Sequence, residues 1–467
     1  MPFVHPISTA LVAFLSLWFP AVAPPGTAVS PASPPMCEAP RHVVLISIDG
    51  FRPPFYRDAS FPTPNLQRMA AEGVWAQGLQ TVFPSVTYPS HTTMVTGVVP
   101  AEHGILYNRP EPLAGPPDQQ YFWADSIRVP ALWDRVRDAG GTAAGLWWPA
   151  AIGADMSPNL PVPPHEAPGG SRLDLLRTVV TPAGFMEDME ARVTGPLTDQ
   201  SFSNGSLQKE RHLWQIGRHV VVTGKPTLLL YHVLATDAFQ HSQGPGSRNI
   251  LPAVAVADSA VGVLVEAYRE AGILDRTTFV ITGDHGFAGY THGLAPNTWL
   301  AEAGYLTPDA AGLPRARFIA GGGFAFLLLR NPGDEEVLAH VRRSIAALSP
   351  DEASRFEVVP QEQAREWGVD PRAALALSAR PGNRFEGRTD GPLVAPTPRP
   401  GGVHGHRPDL PELQTGFVVW GAGIQQTGRV GPAHALNITP LIASLLGLPG
   451  ESSWSVPAWL TTHFCTS

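Results

Sequence analysis

Four short segments carry side chains able to hold metal ions. They are Asp49 in SIDG, Asp237 and His241 in TDAFQH, Asp284 and His285 in GDHG, and His404 in GGVHGH. Carboxylate and imidazole are the groups that bind zinc where thiolates are absent. The two cysteines, Cys37 and Cys465, cannot build a thiolate site. Each segment alone reads as a turn, because Asp-Gly and Asp-His-Gly are common turn sequences. His404 and His406, in a glycine-rich loop, could simply face solvent. Three aspartates and three histidines together suit a two-metal site for phosphoryl transfer, in which two cations clamp the attacking and leaving oxygens. A fifth stretch, FPSVTYPSHTTMVTG from Phe83 to Gly97, concentrates hydroxyls. By itself it reads as a turn or a helix cap, and any one hydroxyl is only a candidate nucleophile.

The elements that must position these groups are legible as short apolar runs. HVVLISIDG is almost continuously apolar and ends in an acid, as a strand buried on both faces would. TLLLYHVLATD ends at Asp237, TTFVITGDHG ends at Asp284 and His285, and TGFVVWGAG is a further run. Between them lie helical patterns, among them PNLQRMAAEG, VPALWDRVRDAG, PAVAVADSAVGVLVEAYREAG and ITPLIASLLG, which stop at glycines as C-caps do. Alternating strands and helices predict an open, largely parallel α/β sheet. Sites in such sheets form at the C-terminal ends of the strands, where these acids fall. Residues 38–465 read as a single domain with insertions near 155–215 and 365–400, the latter a Pro-, Gly- and Arg-rich surface excursion. Gly321, Gly322 and Gly323 precede FAFLLL and read as a strand entrance, since no helix follows to make a phosphate cradle.

The bulk properties narrow the class. The chain has 467 residues, 43% of them hydrophobic, and a formal net charge of -8, which offers no basic face for nucleic acid. The apolar run Ala10–Phe19 is too short to span a bilayer comfortably. It is followed by small residues, so residues 1–33 read as a signal peptide and Pro-rich leader, cleaved between Ala23 and Ser33. Secretion or a periplasmic location is expected, with an uncleaved N-terminal membrane anchor as the alternative and no stable membrane span. In an oxidising compartment Cys37 and Cys465 are expected to pair, tying the chain ends together. Asn204 and Asn437 each begin a glycosylation sequon.

The order Asp49, Thr87, Asp237-x-x-x-His241, Asp284-His285, His404 resembles the type I phosphodiesterase and nucleotide pyrophosphatase family of the alkaline phosphatase superfamily. The blocks TGVVPAEHGI, GLWWPA, QHSQGPGS, VHGHRPDL and ALNITPLIASLLGLPG are similar to that family as well, and the likeness spans roughly residues 40 to 460. It implies an alkaline phosphatase-like three-layer sandwich and two Zn2+ ions. One would be held by Asp237, His241 and His404, the other by Asp49, Asp284 and His285, with Thr87 at the second metal as nucleophile. It also implies attack on a small-molecule phosphodiester or phosphoanhydride, nucleotides favoured, through a covalent phosphothreonine. Thr87-Tyr88-Pro89-Ser90 stands where nucleotide-cleaving members have Thr-Phe-Pro-Asn. Tyr88 is therefore expected to stack on a base or head group, and Ser90 to make a shorter contact to the phosphate. The remaining hydroxyls and His91, His103 and His292 are expected to be structural. A phosphate monoesterase, a phosphonate hydrolase and an inactive binding protein on this fold stay open. A sulfatase fits less well, because those enzymes carry a modified Cys or Ser at the position of Thr87.

Overall fold

The run HVVLISI forms a strand, His42–Ile48, in the middle of an eight-stranded sheet. The computed structural model describes residues 39–109, 120–164, 170–203, 205–309 and 312–465. Across the sheet the order is Gly428–Arg429, Val74–Trp75, Phe417–Gly421, Thr277–Thr282, His42–Ile48, Leu228–Val233, Ala143–Leu146 and Asn159–Leu160. His42–Ile48 pairs in parallel with both neighbours. Phe417–Gly421 runs antiparallel to Thr277–Thr282, so the sheet is largely but not wholly parallel.

Burial on both faces explains the continuous apolar runs. Val44, Ile46 and Ile48 join one core with the helices Leu207–Gly224 and Leu251–Glu270. Val43 and Leu45 point the other way, into a core shared with the helices Thr87–Thr96, Leu132–Asp138 and Ile438–Leu445. The result is the three-layer α/β sandwich that the sequence pattern and the resemblance implied. Among the described residues one helix, Arg248–Glu270, is long and apolar enough to cross a bilayer. Its Val254, Val261 and Leu264 instead pack in the first core.

Two smaller sheets flank the rim. One is antiparallel, in the order Phe356–Val359, Ala373–Ala379, Phe324–Leu329, Ala316–Gly321. The other runs Gly382–Phe385, Ala288–Leu294, Val394–Val403. The expectation of a surface excursion near 365–400 is corrected here. That stretch places Ala373–Ala379 inside the four-stranded sheet and supplies two strands to the three-stranded one. Prolines disguised Val394–Val403, which pairs only with Ala288–Leu294 and breaks register between Pro396 and Gly401. Proline is tolerated on such an edge because no second neighbour needs its missing N–H. The stretch near 155–215 is partly helical, as expected, and its last helix is a core element rather than a surface one.

Cys465 is buried and disulfide-bonded. Its expected partner, Cys37, lies outside the described residues, as do the leader and the Asn204 sequon. Asn437 is 5% exposed and donates to the Ser455 carbonyl at 2.9 Å, so that sequon is closed to a glycan.

Candidate active site

The three central strands end level with one another, Ile48 beside Val233 and Ser47 beside Thr282. Asp49 follows its strand directly. Asp284 and His285 follow Thr282 after one glycine. Asp237 is not at a strand end as the sequence suggested. The strand stops at Val233, and Asp237 sits in the first turn of the helix Ala235–Gln243. His241 is one turn further on, so the pair shares a face. His404 arrives from the three-stranded sheet. Its carbonyl accepts from Gly323 N–H at 2.7 Å, and a Cβ on Gly322, at φ +68°, would lie 2.4 Å from that same oxygen. The glycine triplet is the turn between two strands, and it lets the backbone close against the His404 loop.

Three histidine rings are fixed by carbonyl oxygens. Nδ1 of His241 lies 3.0 Å from Gly402 O, Nδ1 of His404 3.0 Å from Ser85 O, and Nδ1 of His285 3.1 Å from Gly286 O. A carbonyl only accepts, so each Nδ1 carries the proton and each Nε2 presents a lone pair. Those lone pairs converge. Nε2 of His404 is 3.1 Å from Nε2 of His241, and Oδ1 of Asp237 is 3.2 Å from one and 3.7 Å from the other. Nε2 of His285 is 3.1 Å from Asp284 Oδ2 and 3.4 Å from Asp49 Oδ1. Asp49 Oδ1, Asp237 Oδ1, Asp284 Oδ2 and His285 Nε2 are buried without a hydrogen-bond partner. Acceptors facing acceptors inside a protein are costly unless a cation lies between them. The donor set therefore fits metal ions, and it forms two groups, Asp237 with His241 and His404, and Asp49 with Asp237 and His285. Asp237 belongs to both, so the geometry does not draw the three-and-three division expected from the resemblance.

The electrostatics follow from this crowding. Burial, then Asp284 and Asp237, hold the Asp49 carboxyl well above the usual carboxylate range. Burial acts upward on Asp284 too, but His285, His91 and His232 outweigh it and bring it below that range. Burial, then His285 and His241, push His404 far down. Against the effect of burial, Asp237 lifts His241 above the usual imidazole range. A buried site that crowds three carboxyl groups against these imidazoles is one that a divalent cation neutralises.

Thr87 is the first residue of the helix Thr87–Thr96 and is half-buried. The neighbouring hydroxyls are engaged. Ser85 donates to His406 O, Thr92 to Tyr88 O and Thr96 to Thr92 O, and Thr93 pairs with His103. Tyr88 meets Phe122 edge-on, with ring centres 5.8 Å apart. Ser90 is fully buried, and its hydroxyl has no partner and lines neither cavity at the site. Ser90 is the fourth residue of the helix Thr87–Thr96, and its side chain turns inward there. His91 Nδ1 donates to Thr87 O at 2.8 Å and lies 3.8 Å from Asp284 Oδ2. His103 is buried in the interior, as expected.

Sequence reasoning missed several neighbours. His232, in the strand Leu228–Val233, reaches Asp49 Oδ2 at 3.1 Å with Nε2 and Trp147 O at 3.0 Å with Nδ1. A polar residue in an otherwise apolar run was its only signal. Buried Lys209 lies 3.6 Å from Glu210, whose carboxylate accepts from Leu234 and Ala235 N–H, the turn that carries Asp237. Asn108 accepts from Tyr88 N–H at 2.9 Å through Oδ1, which leaves its amide NH2 as the donor. A cavity of about 190 Å³ is lined by Thr87, Tyr88, Asn108, Arg109, Trp147 and Arg172 among others. A second, of about 270 Å³, contains His241 and His404 in its wall. A further cavity, of about 780 Å³, lies on the four-stranded sheet and includes none of these residues.

A largely parallel sheet covered on both sides, with acids and imidazoles gathered at its C-terminal rim, places the molecule among α/β proteins of alkaline phosphatase-like fold. Within that class the chain belongs to the type I phosphodiesterase / nucleotide pyrophosphatase family, whose model matches residues 43–407. Bis(5'-adenosyl)-triphosphatase enpp4 of Xenopus laevis is 26% identical over 422 residues, covering 88% of this chain and 78% of that protein. Ectonucleotide pyrophosphatase/phosphodiesterase family member 3 of Mus musculus is 24% identical over 266 residues, 55% of this chain and only 26% of the relative. Human ectonucleotide pyrophosphatase / phosphodiesterase 5 superposes with a TM-score of 0.64 at 17% identity, covering 90% of this chain and 98% of that one. An inactive threonine-to-alanine variant of the murine protein, in complex with AMP, gives the same TM-score at 18% identity.

Proposed function

We propose that this chain is a zinc-dependent hydrolase of phosphodiester or phosphoanhydride bonds, nucleotide-type substrates favoured, acting through a covalent phosphothreonine on Thr87. The observation that carries it is the convergence of buried imidazole and carboxylate atoms beside the start of the Thr87 helix. Zinc suits a donor set of carboxylates and imidazoles without thiolate. Asp237, His241 and His404 would hold one ion and Asp49, Asp284 and His285 the other, and Asp237 also belongs to the donor group of Asp49 and His285. When bound, the ions supply the charge that makes a threonine alkoxide available and offsets the phosphate oxygens and the leaving oxygen.

The protein's own groups do the rest. The positive end of the Thr87–Thr96 helix favours the phosphate anion there. Asn108, anchored by Tyr88 N–H, offers its NH2 to a phosphate oxygen. As the bond from Thr87 Oγ1 to phosphorus forms, the bond to the leaving oxygen breaks, the hydroxyl proton passes to water, and the leaving group departs as its anion or, after taking a proton from water, as the alcohol. Water then cleaves the phosphothreonine and regenerates the hydroxyl. Tyr88, Phe122 and Trp147 give the adjoining cavity aromatic walls for a base or head group. Export fits the disulfide at Cys465, because such bonds persist in oxidising compartments.

One observation favours the monoesterase alternative. No cation is close to Thr87 in sequence, yet Arg109 and Arg172 line its cavity and could serve a dianionic group. The test compares zinc-loaded protein on bis(4-nitrophenyl) phosphate and 4-nitrophenyl phosphate, with acid-quenched mass spectrometry for an adduct on Thr87. Preference for the diester with phosphate on Thr87 is expected. Preference for the monoester replaces the diesterase reading, and no hydrolysis of either removes the enzyme reading.

A further inference from the structure

The two cavities at the site differ in kind, and Asn108 and Arg109 line both. Thr87 and Tyr88 line the smaller one, whereas His241 and His404 line the larger and Thr87 does not. In-line displacement puts the attacking and leaving oxygens on opposite sides of phosphorus. With Thr87 attacking from the smaller cavity, the larger one, lined by His241 and His404, is the cavity at the site left for the leaving group. That chamber is apolar. Its walls include Val86, Tyr107, Ile319, Phe324 and Val403, and its backbone is glycine at 321 and 322. Tyr107 and Phe324 stack with ring centres 6.0 Å apart at 19°. Among the described residues that line it, Arg109 is the one arginine and is exposed, and none is an acid or a lysine.

Building on the phosphodiesterase reading, we propose that the larger chamber is the leaving-group subsite and that it selects a compact, apolar alcohol, such as one bearing a single aromatic ring. Beyond the metal-facing His241 and His404 and the exposed Arg109, the described wall offers a bulky charged leaving group no further charged partner. The substituent that stays on phosphorus occupies the Tyr88, Phe122 and Trp147 chamber. Apolar contact made away from the reacting bond then orients the diester, so it appears in kcat/KM. The step remains a displacement. The bond between Thr87 Oγ1 and phosphorus forms, the bond from phosphorus to the apolar alkoxide breaks, and the alkoxide leaves as the alcohol after taking up a proton from water.

The experiment uses full-length zinc-loaded protein and the benzyl ester of a nucleoside 5'-monophosphate. Benzyl alcohol and the nucleoside 5'-hydroxyl have similar intrinsic leaving ability, so the direction of cleavage reports the chambers. Benzyl alcohol plus nucleoside monophosphate, in at least tenfold excess over nucleoside plus benzyl phosphate, is expected. Equal or reversed products overturn the assignment. In a second arm, Phe324→Leu lowers kcat/KM for the benzyl ester at least fivefold more than for the methyl ester of the same nucleotide. Val403→Thr, nearly isosteric, is expected to act in the same direction and guards against misfolding of the first variant. An equal loss on both esters refutes the subsite. If bis(4-nitrophenyl) phosphate is hydrolysed while these tests fail, only the leaving-group inference falls. If that ester is untouched as well, the phosphodiesterase reading falls with it.

Discussion

Zinc should stabilise this protein by an amount that can be worked out from the site. Three Nε2 lone pairs face one another and the carboxylates of Asp49, Asp237 and Asp284. The unfolded chain has no such arrangement, so an ion bound there favours the folded state. At a free concentration a hundred times the dissociation constant, one site contributes about 2.7 kcal/mol, and two contribute about 5 kcal/mol. The compact unit runs from Cys37 to Ser467. At about 2.1 cal/mol/K per residue its unfolding entropy is roughly 0.9 kcal/mol/K, so the midpoint should rise by about 6 °C. The assay is differential scanning fluorimetry of chelator-treated protein titrated with ZnCl2. Asp237 is shared by both donor groups, so Asp237→Asn should lose most of the rise, whereas His404→Ala should lose about half. Native mass spectrometry then counts the ions. No rise in the wild type, or an undiminished rise in Asp237→Asn, would refute the two-site reasoning without reference to activity.

Thr87→Ala should lower diester turnover at least about a thousandfold and keep the zinc-induced rise; retained turnover shows that another group attacks. Lys209→Met should destabilise the fold by about 3–5 kcal/mol, because it leaves the fully buried Glu210 carboxylate uncompensated. Adding Glu210→Gln should recover part of that, and chemical denaturation in which the single variant matches wild type would contradict the account. Burial holds buried His103 down at about 3, from an ordinary value of 6.5. A folded value below the unfolded one means the stability is complete above pH 6.5 and is lost as pH falls toward 3. At pH 4 that loss is about 3 kcal/mol. His103→Gln should flatten the acid limb of a denaturation–pH curve, and an unchanged slope argues against it.

How much of this was readable in advance differs by element. Strand-end acids are visible in a sequence because burial on both faces imposes an unbroken apolar run, and the first polar residue after it marks the rim. Asp49, Asp284 and His285 follow the central strands in just that way. Asp237 was found for a partly mistaken reason, since its run overshoots the strand and the residue belongs to the next helix. The edge strand Val394–Val403 was hidden because its prolines satisfy a one-sided pairing that looks like a loop. The burial of Ser90 left no mark in the sequence, because which side of the Thr87–Thr96 helix faces the core depends on distant segments.

By itself, the sequence determined the layers and the ligand chemistry. Those depend on local periodicity and on residue type, and both survive without knowledge of the fold. Only the tertiary structure decided which atoms oppose which. That His241 and His404 meet at Nε2, that His232 braces Asp49, and that Asn108 and Arg109 divide two cavities are contacts between distant segments. Such contacts are fixed by sheet register and by three carbonyl oxygens that choose the tautomers, none of which leaves a trace in the residues taken one segment at a time.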